Sequence, residues 1–154
     1  MDIRIQQKEG FKVAGLMIDA TPKSDFGKLW DELFEKVPYQ QLEALGSGQS
    51  LGVCCDMKED GSFRYMAGYH TRDVEQARAL GLELIDVPEA EYAIVPVNGP
   101  TPKCIKDSWI YVWDTFFPQR GWRHAGTPDF EVYALGDIKS PDYQMELWVP
   151  VVKD

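Results

Sequence analysis

Two glutamates stand out because each sits among rings inside a segment of strand character. Glu131 lies in Phe130-Glu131-Val132-Tyr133, and Glu146 lies in Met145-Glu146-Leu147-Trp148. Strand alternation puts Glu131 on one face with Tyr133, and Glu146 on one face with Trp148. A carboxylate among apolar side chains is costly to bury. It stays there only with hydrogen-bond donors, a counter-charge or a raised pKa. On an exposed antiparallel face, either residue would simply point to water. Trp109 and Trp113 are four residues apart, so a regular helix puts both indoles on one face beside Ile105 and Phe116. Rings plus a carboxylate suit a flat, delocalised cation: the faces supply quadrupole and apolar contact, and the acid supplies charge.

Other chemistries find little footing. No glycine-rich phosphate loop follows a strand and opens a helix. His70 and His124 lie far apart without carboxylates at ligand spacing, so they read as surface residues. No metal and no cofactor is expected. Cys54 and Cys55 sit together in a strand-like run, send one thiol to each face, and read as small buried hydrophobes. With Cys104 they make an odd count that fits no disulfide framework, so a reducing cytoplasm is the expected home. Sixteen basic against 25 acidic residues give a net charge of −9. That field repels phosphate backbones and anionic lipid and draws cations, so neither nucleic acid nor a membrane surface is an expected partner. The N-terminus lacks a secretory pattern, and no apolar run approaches the ~20 residues that span a bilayer.

The elements that must position these residues follow from periodicity. A length of 154 residues suits one domain, and 44% apolar residues can build its core. Phe11–Ile18 reads as a strand. Phe26, Leu29, Trp30, Leu33, Phe34 and Val37 recur at three and four, which predicts a helix capped by Ser24 or Asp25 and stopped by Pro38. Leu51–Met57 and Phe63–Tyr69 form a strand pair around the Lys58-Glu-Asp-Gly61 turn, and Glu83–Val87 is a short connecting strand. The second half repeats the order: strand Tyr92–Val97, loop Gly99–Lys103, helix Ile105–Phe117 ended by Pro118, then strands Phe130–Leu135 and Gln144–Val152. Leu29-Trp-Asp-Glu-Leu-Phe34 echoes Val112-Trp-Asp-Thr-Phe-Phe117, and Thr21-Pro22 with Pro38 echoes Thr101-Pro102 with Pro118. These patterns predict an α+β fold in which a strand–helix–strand–strand unit is duplicated (about 3–78 and 79–152) into one antiparallel-rich sheet with two helices.

Five segments in this order resemble the GyrI-like family: Phe11-Lys-Val-Ala-Gly-Leu16, a hairpin ending Ala67-Gly-Tyr69, Tyr92-Ala-Ile-Val-Pro-Val97, Phe130-Glu-Val-Tyr133 and Met145-Glu-Leu-Trp-Val-Pro-Val151. The family is also known as the effector-binding domain of AraC-type regulators. Its relatives include multidrug-sensing domains and a gyrase-inhibitory protein. The likeness runs from about Ile3 to Val152. It implies two helices flanking a groove over the sheet, where amphipathic, often cationic aromatic compounds bind around a strand-borne acid. Glu131 and Glu146 both stand at matching positions, Glu131 being favoured. Trp109 matches the aromatic of the second helix, and Tyr69 the aromatic closing the third strand. With Trp113 and Tyr133 these complete the expected ligand-binding set. Relatives often carry tyrosines where this chain has Cys54-Cys55, which implies a wider groove or a lost stacking wall. No helix-turn-helix region precedes Phe11, so a stand-alone effector domain that does not itself read DNA is implied. Three activities are consistent with the resemblance. The first is binding of a hydrophobic cation. The second is hydrolysis of strained, cyclopropane-bearing electrophiles, with Glu131 as general base and Tyr69 or Tyr133 as oxyanion donor. The third is an inhibitory contact with gyrase, or another protein partner such as a transcription regulator.

Overall fold

Long strands with apolar residues on both faces need cover on both sides. In the computed structural model, which describes residues 2–154, that need shapes the molecule. The strands are β1 (Arg4–Lys8), β2 (Phe11–Ala20), β3 (Ser50–Cys55), β4 (Phe63–Thr71), β5 (Glu83–Val87), β6 (Ala90–Asn98), β7 (Trp122–His124), β8 (Asp129–Val132) and β9 (Gln144–Lys153). The helices are α1 (Phe26–Lys36), α2 (Tyr39–Glu43), α3 (Val74–Ala79), α4 (Lys103–Tyr111) and α5 (Phe117–Arg120), with a π-helical turn, Val112–Phe116, joining the last two. The sheet order is β1-β6-β9-β8-β3-β4-β2-β5, with β7 on β9, and these pairings are antiparallel. The fold is α+β, a nine-stranded antiparallel sheet with few helices.

β5 ends the sheet on one side and β6 lies next to its other end, yet only Pro88 and Glu89 join them. The sheet must therefore curl until its ends approach. Inside the curl, Val13, Val53, Met66, Tyr92, Ile94 and Phe130 pack as one buried cluster. On the other face, α1 lays Leu29 and Leu33 on Ala14, Tyr65, Ala67 and Tyr69. Beside it, α4 and the π turn lay Cys104, Val112 and Phe116 on Ala93, Val95, Leu147 and Val149. β8 and β3 run between these two helical footprints, and that seam carries the site.

α1 forms as its spacing predicts. Asp25 accepts from the Lys28 N–H at 3.1 Å, and the stripe of apolar residues meets the sheet until Pro38 intervenes. Leu33 is 0% exposed at the centre of this contact. Leu33→Ala is expected to destabilise by about 2–5 kcal/mol, read as a lower urea midpoint with unchanged slope.

The second helix departs from expectation, because Pro118 does not end it. The Phe117 N–H bonds five residues back to the Val112 carbonyl, and the helix continues to Arg120 before Gly121 (φ 69°) closes it. The π turn has already shifted the carbonyl ladder that a proline ring would crowd, so Pro118 is accommodated near the start of α5. Two strands are shorter than predicted. β3 stops at Cys55 because Asp56 turns to φ 54°, and β8 stops at Val132. β1, α2, α3 and β7 are short elements beyond those the periodicity predicts. Among the described residues no helix is long and apolar enough to cross a membrane.

Candidate functional site

The seam is built from opposed residues. Glu131 faces Gly52 and Asp129 faces Cys54 across β8 and β3, while Cys54 faces Tyr65 across β3 and β4. Cross-strand partners share a face, so Asp129, Glu131, Cys54 and Tyr65 all project to the helix side. There the Tyr65 hydroxyl donates to Glu131 Oε1 at 2.9 Å, and the Tyr133 hydroxyl donates to the same oxygen at 2.7 Å. Trp30 of α1 donates its indole N–H to the Tyr65 oxygen at 3.1 Å and meets the Tyr133 ring edge-on at 5.6 Å. Phe26 packs on Tyr65 at 4.5 Å. The carboxylate thus lies under rings, with both phenols on one oxygen. Gly52 makes this possible, since a Cβ there would run into both Glu131 Oε1 and the Tyr65 hydroxyl.

Beside it is a second acid. Asp129 is 8% exposed, and its Oδ2 lies 3.1 Å from His124 Nε2. The Gly126 N–H donates to His124 Nδ1 at 2.9 Å, so the ring proton sits on Nε2 and is donated to Asp129. Trp113 stacks on His124, centroids 6.1 Å apart and planes 3° from parallel. Burial pushes the Glu131 carboxyl up, the two phenols pull it partly back, and the Asp129 charge raises it again. Burial also pushes Asp129 up, against the pull of His124 and Cys54. The phenols of Tyr65 and Tyr133 and the thiol of Cys54 are all driven up, first by burial and then by neighbouring carboxylates. Tyr133→Phe removes the shorter donor to Glu131. It is expected to move the glutamate's titration midpoint higher still, read from its ¹³C carboxyl shift, and to destabilise by about 1 kcal/mol.

Of the residues expected to form the site, Glu131 and Tyr133 come together. Glu146 does not join them: it pairs with Val132, one position off in register, and so projects to the opposite face. There it accepts from Arg4 at 3.3 Å and from the Trp148 indole at 3.1 Å. Tyr69 is buried in the α1 contact, edge-on to Phe34 at 6.5 Å, and does not bond Glu131. Trp109 is half-buried beneath α4, whereas Trp113 is 52% exposed and leans on His124. The single face expected for the two indoles is lost because the π turn begins between them. His124 is likewise not a free surface residue. The seam also gathers Trp30, Tyr65, Gly52, Asp129 and His124, which local spacing did not bring together. Among the described residues, no three His, Cys, Asp or Glu gather to hold a metal. Two open cavities flank Gln49, one of 380 Å³ against Phe11, His70 and Trp148, and one of 430 Å³ against Tyr133 and Glu146.

A family model described as integron-associated effector binding protein matches residues 4–151. No curated protein matches the chain in sequence. Among solved structures, SAV2435 bound to tetraphenylphosphonium is similar at TM-score 0.82 and 20% identity, covering 99% of this chain and 94% of that one. An integron cassette protein from the mobile metagenome of Vibrio cholerae is similar at TM-score 0.72 and 21% identity, over 97% and 95%. A hydrolase from Listeria innocua is similar at TM-score 0.62 and 12% identity, over 97% and 91%. At these identities the likeness is one of fold.

Proposed function

The chain belongs to the integron-associated effector binding protein family, of GyrI-like fold, and from that premise we propose that its seam binds hydrophobic, cationic aromatic small molecules with Glu131 as counter-charge. The observation that carries this reading is the state of that carboxylate. It is enclosed by rings, receives two neutral donors on one oxygen, and has no ion-pair partner among the described residues. A delocalised cation would satisfy the free oxygen and stack between the walls of α1 and the second helix. Trp30, which touches Tyr133 across the seam, must swing aside to admit it, so its fluorescence reports entry. The solved neighbour bound to tetraphenylphosphonium supports the ligand class.

The test is a tryptophan-fluorescence titration with tetraphenylphosphonium and with neutral triphenylphosphine oxide. Saturable quenching that favours the cation, and loses that preference in Glu131→Gln, is the expected result. Equal response to both compounds, or none to either, defeats the reading.

Hydrolysis is the second reading, supported by the hydrolase among the structural neighbours. Glu131 Oε2, free of hydrogen bonds among the described residues, would take a proton from water while a phenol steadies the developing oxyanion. Turnover of a strained cyclopropane electrophile, abolished in Glu131→Gln with binding retained, would favour it over simple binding.

A further inference from the structure

We infer that Asp129, held by His124, is the second negative charge of this seam, and that a cation enters in exchange for a proton held between Asp129 and Glu131. The inference rests on the binding reading above and deepens it by stating how the site regulates its own affinity.

The two carboxylates are two residues apart on one face of β8, so their Cα atoms are about 7 Å apart. No lysine or arginine among the described residues pairs with either. Arg64 of β4 reaches Asp19 and Asp56 instead, each at 3.9 Å, and Lys28 of α1 pairs with Glu32 on the outer side of that helix. The titratable groups packed against the pair are Cys54 on β3, Tyr65 on β4, Tyr133 just past β8 and Cys104 on α4. All four are held in their neutral forms by burial. α1 contributes only the neutral indole of Trp30. Among the described residues His124 on β7 is the one basic side chain against the pair, its Nε2 3.1 Å from Asp129 and its Nδ1 accepting from the Gly126 N–H.

Two enclosed acids facing only neutral donors do not both ionise readily. They titrate as a coupled pair, with the second proton lost last. Burial pushes both carboxyls upward, and the Asp129 charge raises Glu131 further, in keeping with that geometry. When a cation arrives, a carboxylic acid O–H breaks, the proton leaves to solvent, and the carboxylate left behind faces the ligand's charge. The charge of the filled site is therefore the same as that of the empty one. Affinity then rises with pH, because the proton and the cation compete for the same oxygens.

Calorimetric titration of the whole chain with tetraphenylphosphonium, in pairs of buffers with different ionisation enthalpies between pH 5 and 8, tests this. Release of up to about one proton per ligand is expected, with affinity climbing by up to about tenfold per pH unit until the pair is fully ionised. Asp129→Asn should bind the cation more weakly and release at least half fewer protons per ligand bound, with a flatter pH profile; a residue serving structure alone would not change the proton count. Infrared difference spectra of the wild type supply a reading that needs no variant. A protonated-carboxyl band in the empty protein near neutral pH should vanish when the cation is added. Tight cation binding with buffer-independent enthalpy, pH-independent affinity and no such band overturns the exchange while leaving the binding reading intact. Failure of the wild type to bind any cation removes both.

Discussion

Glu131→Gln is expected to weaken tetraphenylphosphonium binding by about a hundredfold while making the empty protein more stable at pH 7. Removing the charged partner of an enclosed cation is worth about 2–3 kcal/mol, and each 1.4 kcal/mol is about a factor of ten. The amide keeps an acceptor for the Tyr65 and Tyr133 hydroxyls, so the rings need not rearrange. Stability moves the other way because burial holds the folded carboxyl above its unfolded value. What such a group contributes is fully present below the unfolded carboxylate value of about 4.3 and is lost as pH rises through the folded one. At pH 7 that contribution is diminished, because the unfolded glutamate ionises freely while the folded one must either keep its proton or carry charge in an enclosed place, and the glutamine faces neither cost. Melting temperatures should show the variant ahead at pH 7, with the gap closing towards pH 4. A variant less stable than the wild type at pH 7 would mean that Glu131 is not enclosed as described. The expected pattern, affinity lost and stability gained, marks a residue kept for its ligand rather than for the fold.

How far the sequence foretold this site depends on how local each contact is. Alternation alone put Glu131 and Tyr133 on one face, and they do share an oxygen contact, because two residues of one chain segment need no knowledge of the sheet. The stripe from Phe26 to Val37 likewise announced α1 and its buried side. Tyr65 was not legible as a site residue, since its bond to Glu131 depends on β3 lying between β4 and β8. Asp129 and His124 were missed for a similar reason: their pairing crosses the bend between β7 and β8, whose residues carry no periodic signal. Glu146 carried the same local signature as Glu131, and only its register against Val132 sent it to the other face. The π turn defeated the four-residue spacing of Trp109 and Trp113, because spacing arguments assume the α ladder that this turn interrupts.

Gly52→Ala carries the second large effect, and it separates the site from the scaffold. Gly52 adopts no left-handed backbone conformation, so what the position demands is room rather than flexibility. The added methyl would meet Glu131 Oε1 and the Tyr65 hydroxyl, the two atoms that define the floor. One of them must leave: either the phenol swings away and Glu131 keeps a single donor, or the carboxylate turns from the seam. A stability loss of about 1–3 kcal/mol is expected, with melting about 2–4 °C lower per kcal/mol at this size. Cation affinity should fall at least about tenfold, because the counter-charge is displaced. Gly15→Ala is the control, since its methyl would strike the backbone of Ala67 and Gly68 on the partner strand, where nothing can swing aside. It should lose more stability than Gly52→Ala. Adding Tyr65→Phe to Gly52→Ala removes one of the two clashes, so the double variant should recover part of the stability and little of the affinity. That non-additivity is the signature of two residues sharing one small space. Wild-type affinity in Gly52→Ala would show that ligand binding does not depend on the Tyr65–Glu131 bond.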